Sequence, residues 1–302
     1  MSSAVDSARV DGGNQGKANT TENRGAEGEE PAKDLPKERR TAYTEVDGLS
    51  ERYPMNRRPR GVALIFAHSE FDNEASEPRP SAAYDAEIAR AAFEALGFLP
   101  EVFLDLTKDK LEEKLLEVSE RDHSSYDAFV IVFMSHGGID FKKKEEFLWV
   151  KDDKILTKDL WKYFTSENCT SLAGKPKLYF IQACRGDRKD KGVSVSRRST
   201  TVYTDSVDEY ILPNQADQLI MWASYPGYEA YRPECKEIQG SVFIHYLAKN
   251  LMEYANTSPR TSLFSILLKV SREVAVLYET DKYDQKKQVP SIMSTLLREI
   301  YF

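Results

Sequence analysis

Continuous apolar runs recur along this sequence between amphipathic helical patterns, and that alternation leaves few folds open to it. Gly61-Val62-Ala63-Leu64-Ile65-Phe66-Ala67, Ala128-Phe129-Val130-Ile131-Val132-Phe133-Met134 and, after its first residue, Lys177-Leu178-Tyr179-Phe180-Ile181, in a strand from Lys177 to Ala183, have no polar face, as expected of strands covered on both sides. Leu99 to Leu104 reads as another strand. Helices are predicted from Ser81 to Leu96, from Lys108 to Arg121 and, briefly, around Lys158 to Tyr163. Ser81 suits an N-cap, Ile88, Ala92 and Leu96 fall at i, i+4 and i+8, and Gly97 suits the residue after the helix. Strands alternating with helices predict an α/β fold with a mainly parallel, doubly covered sheet.

The pattern lapses between Gly186 and Val207, a polar aperiodic stretch. A loop that long inside a compact domain is usually functional or cleavable. Beyond it come a predicted strand from Leu219 to Ser224, a helix from near Ser241, a longer helix from Ser262 to Tyr278 and a terminal strand from Ser291 to Leu297. Residues 2 to 42 hold no aromatic residue, no Ile and only Leu35 as a large aliphatic, so burial cannot offset chain entropy there and a disordered leader is expected.

The formal charge of −7 over 302 residues disfavours nucleic acid as a partner, and Lys142-Lys143-Lys144 is followed at once by Glu145-Glu146, as in a solvated hairpin. The cysteines Cys169, Cys184 and Cys235 lack the spacing of a disulfide framework or a metal site. No metal or other cofactor is therefore expected, and a reducing compartment fits best. No signal-peptide pattern is present, and no run approaches the roughly 18 apolar residues of a membrane span. A soluble cytoplasmic protein is the expectation.

Two reactive side chains stand at strand ends. Cys184 follows the run ending at Ile181, and His136 follows the run ending at Met134, 48 residues earlier. In open parallel sheets the functional crevice lies outside the carboxyl ends of the strands, so the two meet there if their strands are neighbours. A Cys/His pair is the minimum for thiolate attack on a carbonyl. Alone, a cysteine is more often an inert core residue and a histidine more often structural. The pair, with Gly137-Gly138 after the histidine, is far more specific than either half.

Gln182-Ala183-Cys184-Arg185-Gly186, with a histidine about 50 residues upstream, matches the caspase signature. From about Arg60 to Phe302 the chain resembles a caspase, of the short-prodomain executioner kind and of invertebrate type. The resemblance implies a caspase-like sandwich with a central six-stranded sheet flanked by helices. It also implies a cysteine endopeptidase that cuts after Asp and acts in apoptosis. Cys184 would be the nucleophile and His136 the acid/base, with the N–H groups of Gly137 and Cys184 holding the oxyanion and the Glu77 carbonyl orienting the histidine.

The aspartate before the cleaved bond (P1) would be held by Arg79, Gln182 and Arg232, the bidentate match of guanidinium to carboxylate. Arg79 is placed by Pro78-Arg79-Pro80-Ser81-Ala82-Ala83-Tyr84-Asp85-Ala86, and Arg232 by Tyr225-Pro226-Gly227-Tyr228-Glu229-Ala230-Tyr231-Arg232. Tyr231, Glu229 and Val242 would line the substrate groove. Glu229 stands where the family has an aromatic, Val242 where it has a tryptophan, and Asp140 where it has a glycine.

Asp-small steps at Asp47 and Asp205 look like cleavage sites, with Asp208 competing and Asp190 weaker. They imply a zymogen with a prodomain over residues 1–47, a large-subunit region over 48–205 carrying His136 and Cys184, an intersubunit linker over 186–208, and a small-subunit region over 206–302. The last strand resembles the family's dimer-interface strand. Implied partners are protein substrates with P1 Asp, a second copy in a homodimer of processed subunits, an upstream initiator caspase, inhibitor-of-apoptosis proteins, or another caspase. The alternative is a catalytically weak caspase-like protein that regulates another caspase by heterodimerisation. A basic-P1 relative of the metacaspase kind is disfavoured by the two arginines, and a flavodoxin-like binding module by the absence of a Gly-rich phosphate loop.

Overall fold

The apolar runs become the middle of one sheet. The computed structural model describes residues 46–72, 77–140, 142–186, 188–190, 214–231, 238–255, 261–280 and 286–302. β1 (Val62–Ala67) leads to α1 (Ala82–Ala95), β2 (Leu99–Leu104), α2 (Lys108–Glu120) and β3 (Phe129–Met134). A small antiparallel unit follows, made of β4 (Gly137–Asp140), β5 (Glu145–Trp149) and β6 (Lys154–Leu156), then the short α3 (Thr157–Trp161). β7 (Lys177–Gln182), β8 (Gln218–Trp222), α4 (Val242–Ala255), α5 (Leu263–Leu277) and β9 (Ser291–Ser294) complete the chain.

The six-stranded sheet runs β2-β1-β3-β7-β8-β9 and is parallel except for β9. β1, β3, β7 and β8 are buried at every residue and take the inner places, while the partly exposed β2 and β9 take the edges. Because successive strand residues face opposite ways, Ile65, Val132 and Phe180 pack under α1, α4 and α5, and Phe66, Phe133 and Ile181 pack under α2 and α3. The expected six-stranded α/β sandwich is thus the observed fold. Among the described residues no helix is long and apolar enough to cross a membrane.

Three details differ from expectation. Ser81 precedes α1 but its side chain makes no capping bond, and the helix turns Ala82, Ala86, Ala89 and Ala92 inward while Ile88 is only half-buried. Small residues on that face let α1 lie close against α4. The face also carries Asp85, fully buried, whose carboxylate accepts from Ser241 N (2.8 Å) and Ser241 Oγ (2.6 Å) at the start of α4. There a negative charge meets the positive end of the helix dipole. The short helix starts at Thr157 and ends in a 3-10 turn over Lys162–Phe164. β9 stops at Ser294 instead of Leu297, because Thr295 Oγ1 turns to donate to Gln215 O (2.6 Å) and Leu297 N–H goes to Tyr53 Oη (3.0 Å).

Lys142-Lys143-Lys144 does lie in a hairpin, between β4 and β5. Asp140 shapes its turn by accepting from the amides of Lys142 (3.0 Å) and Lys143 (3.2 Å). Most of the expected leader and intersubunit linker lies outside the described residues.

Candidate active site

Strand register places the two reactive residues at neighbouring strand ends. β3 and β7 are parallel neighbours whose last pair is Met134 with Gln182, and Ser135 N–H then donates to Gln182 O at 3.0 Å. Carrying that register two residues further sets His136 across from Cys184. Gly137 follows where nothing larger fits: a Cβ there would sit 2.9 Å from Cys184 O and 3.0 Å from Ala183 Cβ. This tight contact brings the backbone of Gly137 beside that of Cys184.

His136 Nε2 lies 2.7 Å from the carbonyl oxygen of Glu77. A carbonyl only accepts, so Nε2 carries the proton, and in the neutral ring Nδ1 is the basic nitrogen. The Phe71 ring packs at 5.1 Å on the imidazole. Two contacts from the segment after β1 therefore fix the ring.

Cys184 is half-buried, and its Sγ accepts from Ala230 N–H at 3.3 Å and lies 3.7 Å from Ala230 O. The chain around Ala230 is held over the strand end by a short ladder: Arg185 N–H to Tyr228 O (3.0 Å), Gly227 N–H to Arg185 O (2.8 Å), and Glu229 N–H to Arg188 O (3.0 Å). Gly186, at φ +150°, is forced by the same approach, since its Cβ would lie 2.4 Å from Gly227 O. An N–H aimed at sulfur favours negative charge there. The segment also covers one side of the thiol.

Of the residues expected to hold an aspartate, Arg79 and Gln182 are both almost wholly buried. Arg79 Nη1 donates to His68 O at 3.0 Å. The Gln182 side-chain oxygen has no hydrogen-bond partner among the described residues. Arg232 lies outside the described residues.

Val242, expected to line the groove, is the first residue of α4. It is fully buried in the first turn of α4, with its N–H 3.4 Å from Tyr231 O, because the apolar face of that helix packs on the sheet. Tyr231 is half-buried, packs against the core with its ring 6.1 Å from that of Tyr278, and donates its N–H to Gln288 Oε1 at 2.6 Å. Glu229 is half-buried in the ladder segment.

Asp47 is exposed, in a turn where its carbonyl accepts from Ser50 N–H (3.1 Å) and Arg298 Nη2 (3.1 Å). Asp205 and Asp208 lie outside the described residues. Among the described residues no cluster of His, Cys, Asp and Glu could hold a metal ion.

Several neighbours of the site escape a reading of the sequence. Phe71 sits in a polar loop with no periodicity to mark it. Arg185 donates from Nε to Glu146 Oε1 (2.7 Å) and from Nη1 to Ser291 Oγ (3.1 Å), and stacks at 4.4 Å over Trp222. Those partners lie 39 and 106 residues away in sequence.

Comparison with known proteins gives a consistent picture. The profile of the Caspase domain matches residues 60–301. Caspase-1 of Spodoptera frugiperda is 35% identical over 268 residues, spanning 87% of this chain and 85% of its own. Caspase-3 of Bos taurus is 33% identical over 259 residues, spanning 84% and 88%. The crystal structure of Caspase-1 from Spodoptera frugiperda superposes with a TM-score of 0.75 at 33% identity, covering 86% of this chain and 98% of that one.

Proposed function

The chain belongs to the caspase family and is a cysteine-type peptidase, and from that premise we propose that it cuts protein substrates after aspartate, with Cys184 as nucleophile and His136 as acid/base. The observation that carries the assignment is the pairing of strand ends, with His136 held through Nε2 by Glu77 O.

In this reading Nδ1 of His136 takes the thiol proton and the Cys184 sulfur adds to the scissile carbonyl carbon. The N–H groups of Gly137 and Cys184 receive the oxyanion, each such donor being worth about 3 to 4 kcal/mol in the transition state. Collapse breaks the C–N bond, and the leaving amine takes the proton from His136. Water, deprotonated by the same nitrogen, then hydrolyses the thioester and restores the thiol. Arg79, Gln182 and Arg232 hold the P1 carboxylate.

The chain is made as a zymogen that acts in apoptosis in the cytoplasm. Cleavage at Asp205, with Asp208 as competitor, separates a large from a small subunit, and cleavage at Asp47 removes the leader. Processed units pair through β9, an edge strand whose Met293 is 58% exposed. Such an edge meets its own copy across a two-fold axis.

A second reading is favoured by the cover over Cys184: a caspase-like regulator whose groove opens only when another caspase binds it. Intact mass and amino-terminal mapping of the full chain and its Cys184→Ala variant, with peptides ending in Asp, Glu or Arg, separate the two. Wild-type-only cuts after Asp47 and near Asp205 with Asp-peptide turnover support the peptidase. Intact chains without turnover, even when supplied already cleaved, support the regulator.

A further inference from the structure

We propose that Asp105 and Ser69 form a clasp that sets the position of Arg79, which makes Asp105 a positioning residue for P1 recognition. The inference rests on the reading of Arg79 as a ligand of the P1 carboxylate.

Asp105 follows β2 in the left-handed region, at φ 49°, a conformation that Asp and Asn tolerate better than most residues. Its Oδ1 accepts from Ser69 N (2.6 Å) and Glu70 N (3.0 Å), and its Oδ2 accepts from Ser69 Oγ (2.6 Å). One carboxylate thus fixes both the backbone and the side chain of Ser69. Burial works against its charge, yet the Ser69 hydroxyl and the amides of Glu70 and Ser69 hold Asp105 below its ordinary range.

Ser69 passes this constraint on. Its carbonyl accepts from Arg79 N–H at 2.8 Å, and the preceding carbonyl, of His68, accepts from Arg79 Nη1 at 3.0 Å. The His68 ring is buried at 5.2 Å from Phe133, which holds that peptide in place. The excursion, the stretch from Ser69 to Arg79 in sequence, is therefore tied at its ends by two consecutive carbonyls, and among the described residues the side chain that grips Ser69 is that of Asp105. Phe71 and Glu77, which touch His136, lie inside the excursion. Next to Phe71, Asp72 has a separate tie, its N–H donating to Lys151 O at 2.7 Å. Loosening the base should thus act on Arg79 first.

The experiment compares the full-length wild type with Asp105→Ala, Asp105→Asn, Ser69→Ala and Arg79→Ala. It measures kcat and KM on tetrapeptides ending in Asp, with amide hydrogen exchange on the same preparations. Asp105→Ala should raise KM about tenfold, the weight of one or two lost hydrogen bonds, with kcat within about twofold. Asp105→Asn, which keeps an acceptor, should recover part of the loss. The amides of Ser69, Glu70 and Arg79 should exchange faster while β3 and β7 stay protected.

An unchanged KM in Asp105→Ala, where Arg79→Ala raises it, would overturn the clasp. So would a parallel fall of kcat, affinity and thermal midpoint, which marks a role in the fold alone. If Arg79→Ala leaves KM unchanged, or wild type has no turnover, the pocket reading is what fails. Exchange at the Arg79 amide in Asp105→Ala then decides the clasp by itself: faster exchange upholds it and unchanged exchange refutes it.

Discussion

The carbonyl oxygen of Glu77 lies 2.7 Å from Nε2 of His136, so the histidine is oriented by a backbone atom, where many nucleophilic enzymes use a carboxylate side chain. A neutral orienting group stabilises an imidazolium less than a carboxylate does. In the proposed mechanism the transient charge on His136 then depends more on the thiolate and oxyanion beside it.

Replacing Glu77 by Ala should change kcat/KM by less than about threefold, since the side chain takes no part, whereas His136→Ala should cost about a thousandfold or more. Steady-state kinetics on an Asp-terminated peptide check both. A large loss in Glu77→Ala would mean that the carboxylate, not the carbonyl, does the orienting.

Gly137→Ala tests the close approach of two backbones. Its methyl group would meet backbone atoms at 2.9 to 3.0 Å, so Gly137 must retreat from Cys184. Overpacking of this kind costs about 1 to 3 kcal/mol of stability, and a displaced oxyanion donor costs about a hundredfold in kcat. Denaturant unfolding and kcat, measured together, should both move; a normal kcat would remove Gly137 from the oxyanion hole.

Burial pushes the His68 imidazole down from 6.5 to about 4, with Arg79 acting in the same sense and Asp105 and Asp152 opposing. Between those values the unfolded chain binds the proton and the folded one does not. Stability is therefore fully present above pH 6.5 and falls as pH drops toward 4, by up to about 3 kcal/mol. Urea unfolding from pH 7.5 to 4.5 should show that slope, and His68→Leu should flatten it. His123, also pushed down by burial, keeps part of it. Equal slopes in the two proteins would place the acid sensitivity elsewhere.

Asp85→Ala should cost about 2 to 4 kcal/mol, because it leaves Ser241 N–H and Oγ–H buried without their acceptor at the head of α4. Chemical denaturation measures this directly. Asp85→Asn keeps one acceptor and should lose less, and an Asp85→Ala protein of wild-type stability would show that the carboxylate is not the cap of α4.

The inner strands were legible because burial on both faces leaves Val62–Ala67 and Phe129–Met134 no polar residue to blur their period. That Cys184 and His136 stand just past the ends of two such runs was legible for the same reason. Other features were hidden. The inward face of α1 is mostly alanine, with Phe93 and a buried aspartate, while Ile88 is only half-buried, and no hydropathy pattern marks an acid as a core residue. The burial of Val242 follows from the face of α4 that covers the sheet, which its place in the motif does not mark. Asp105, Ser69 and Arg79 are joined only by folding, as are Arg185 and Ser291.

Neighbouring parallel strands must be joined by a crossover, and the connection from β7 to β8 is the one that leaves Cys184 behind. Cutting it cannot release either piece: β8 stays zipped to β7 from Lys177–Gln218 to Ile181–Trp222, and Ser241 stays tied to Asp85. Under the processing proposed above, a nick there would be a mark written irreversibly on paired strands that hold together, so each copy would carry a permanent record of the cut that no refolding erases.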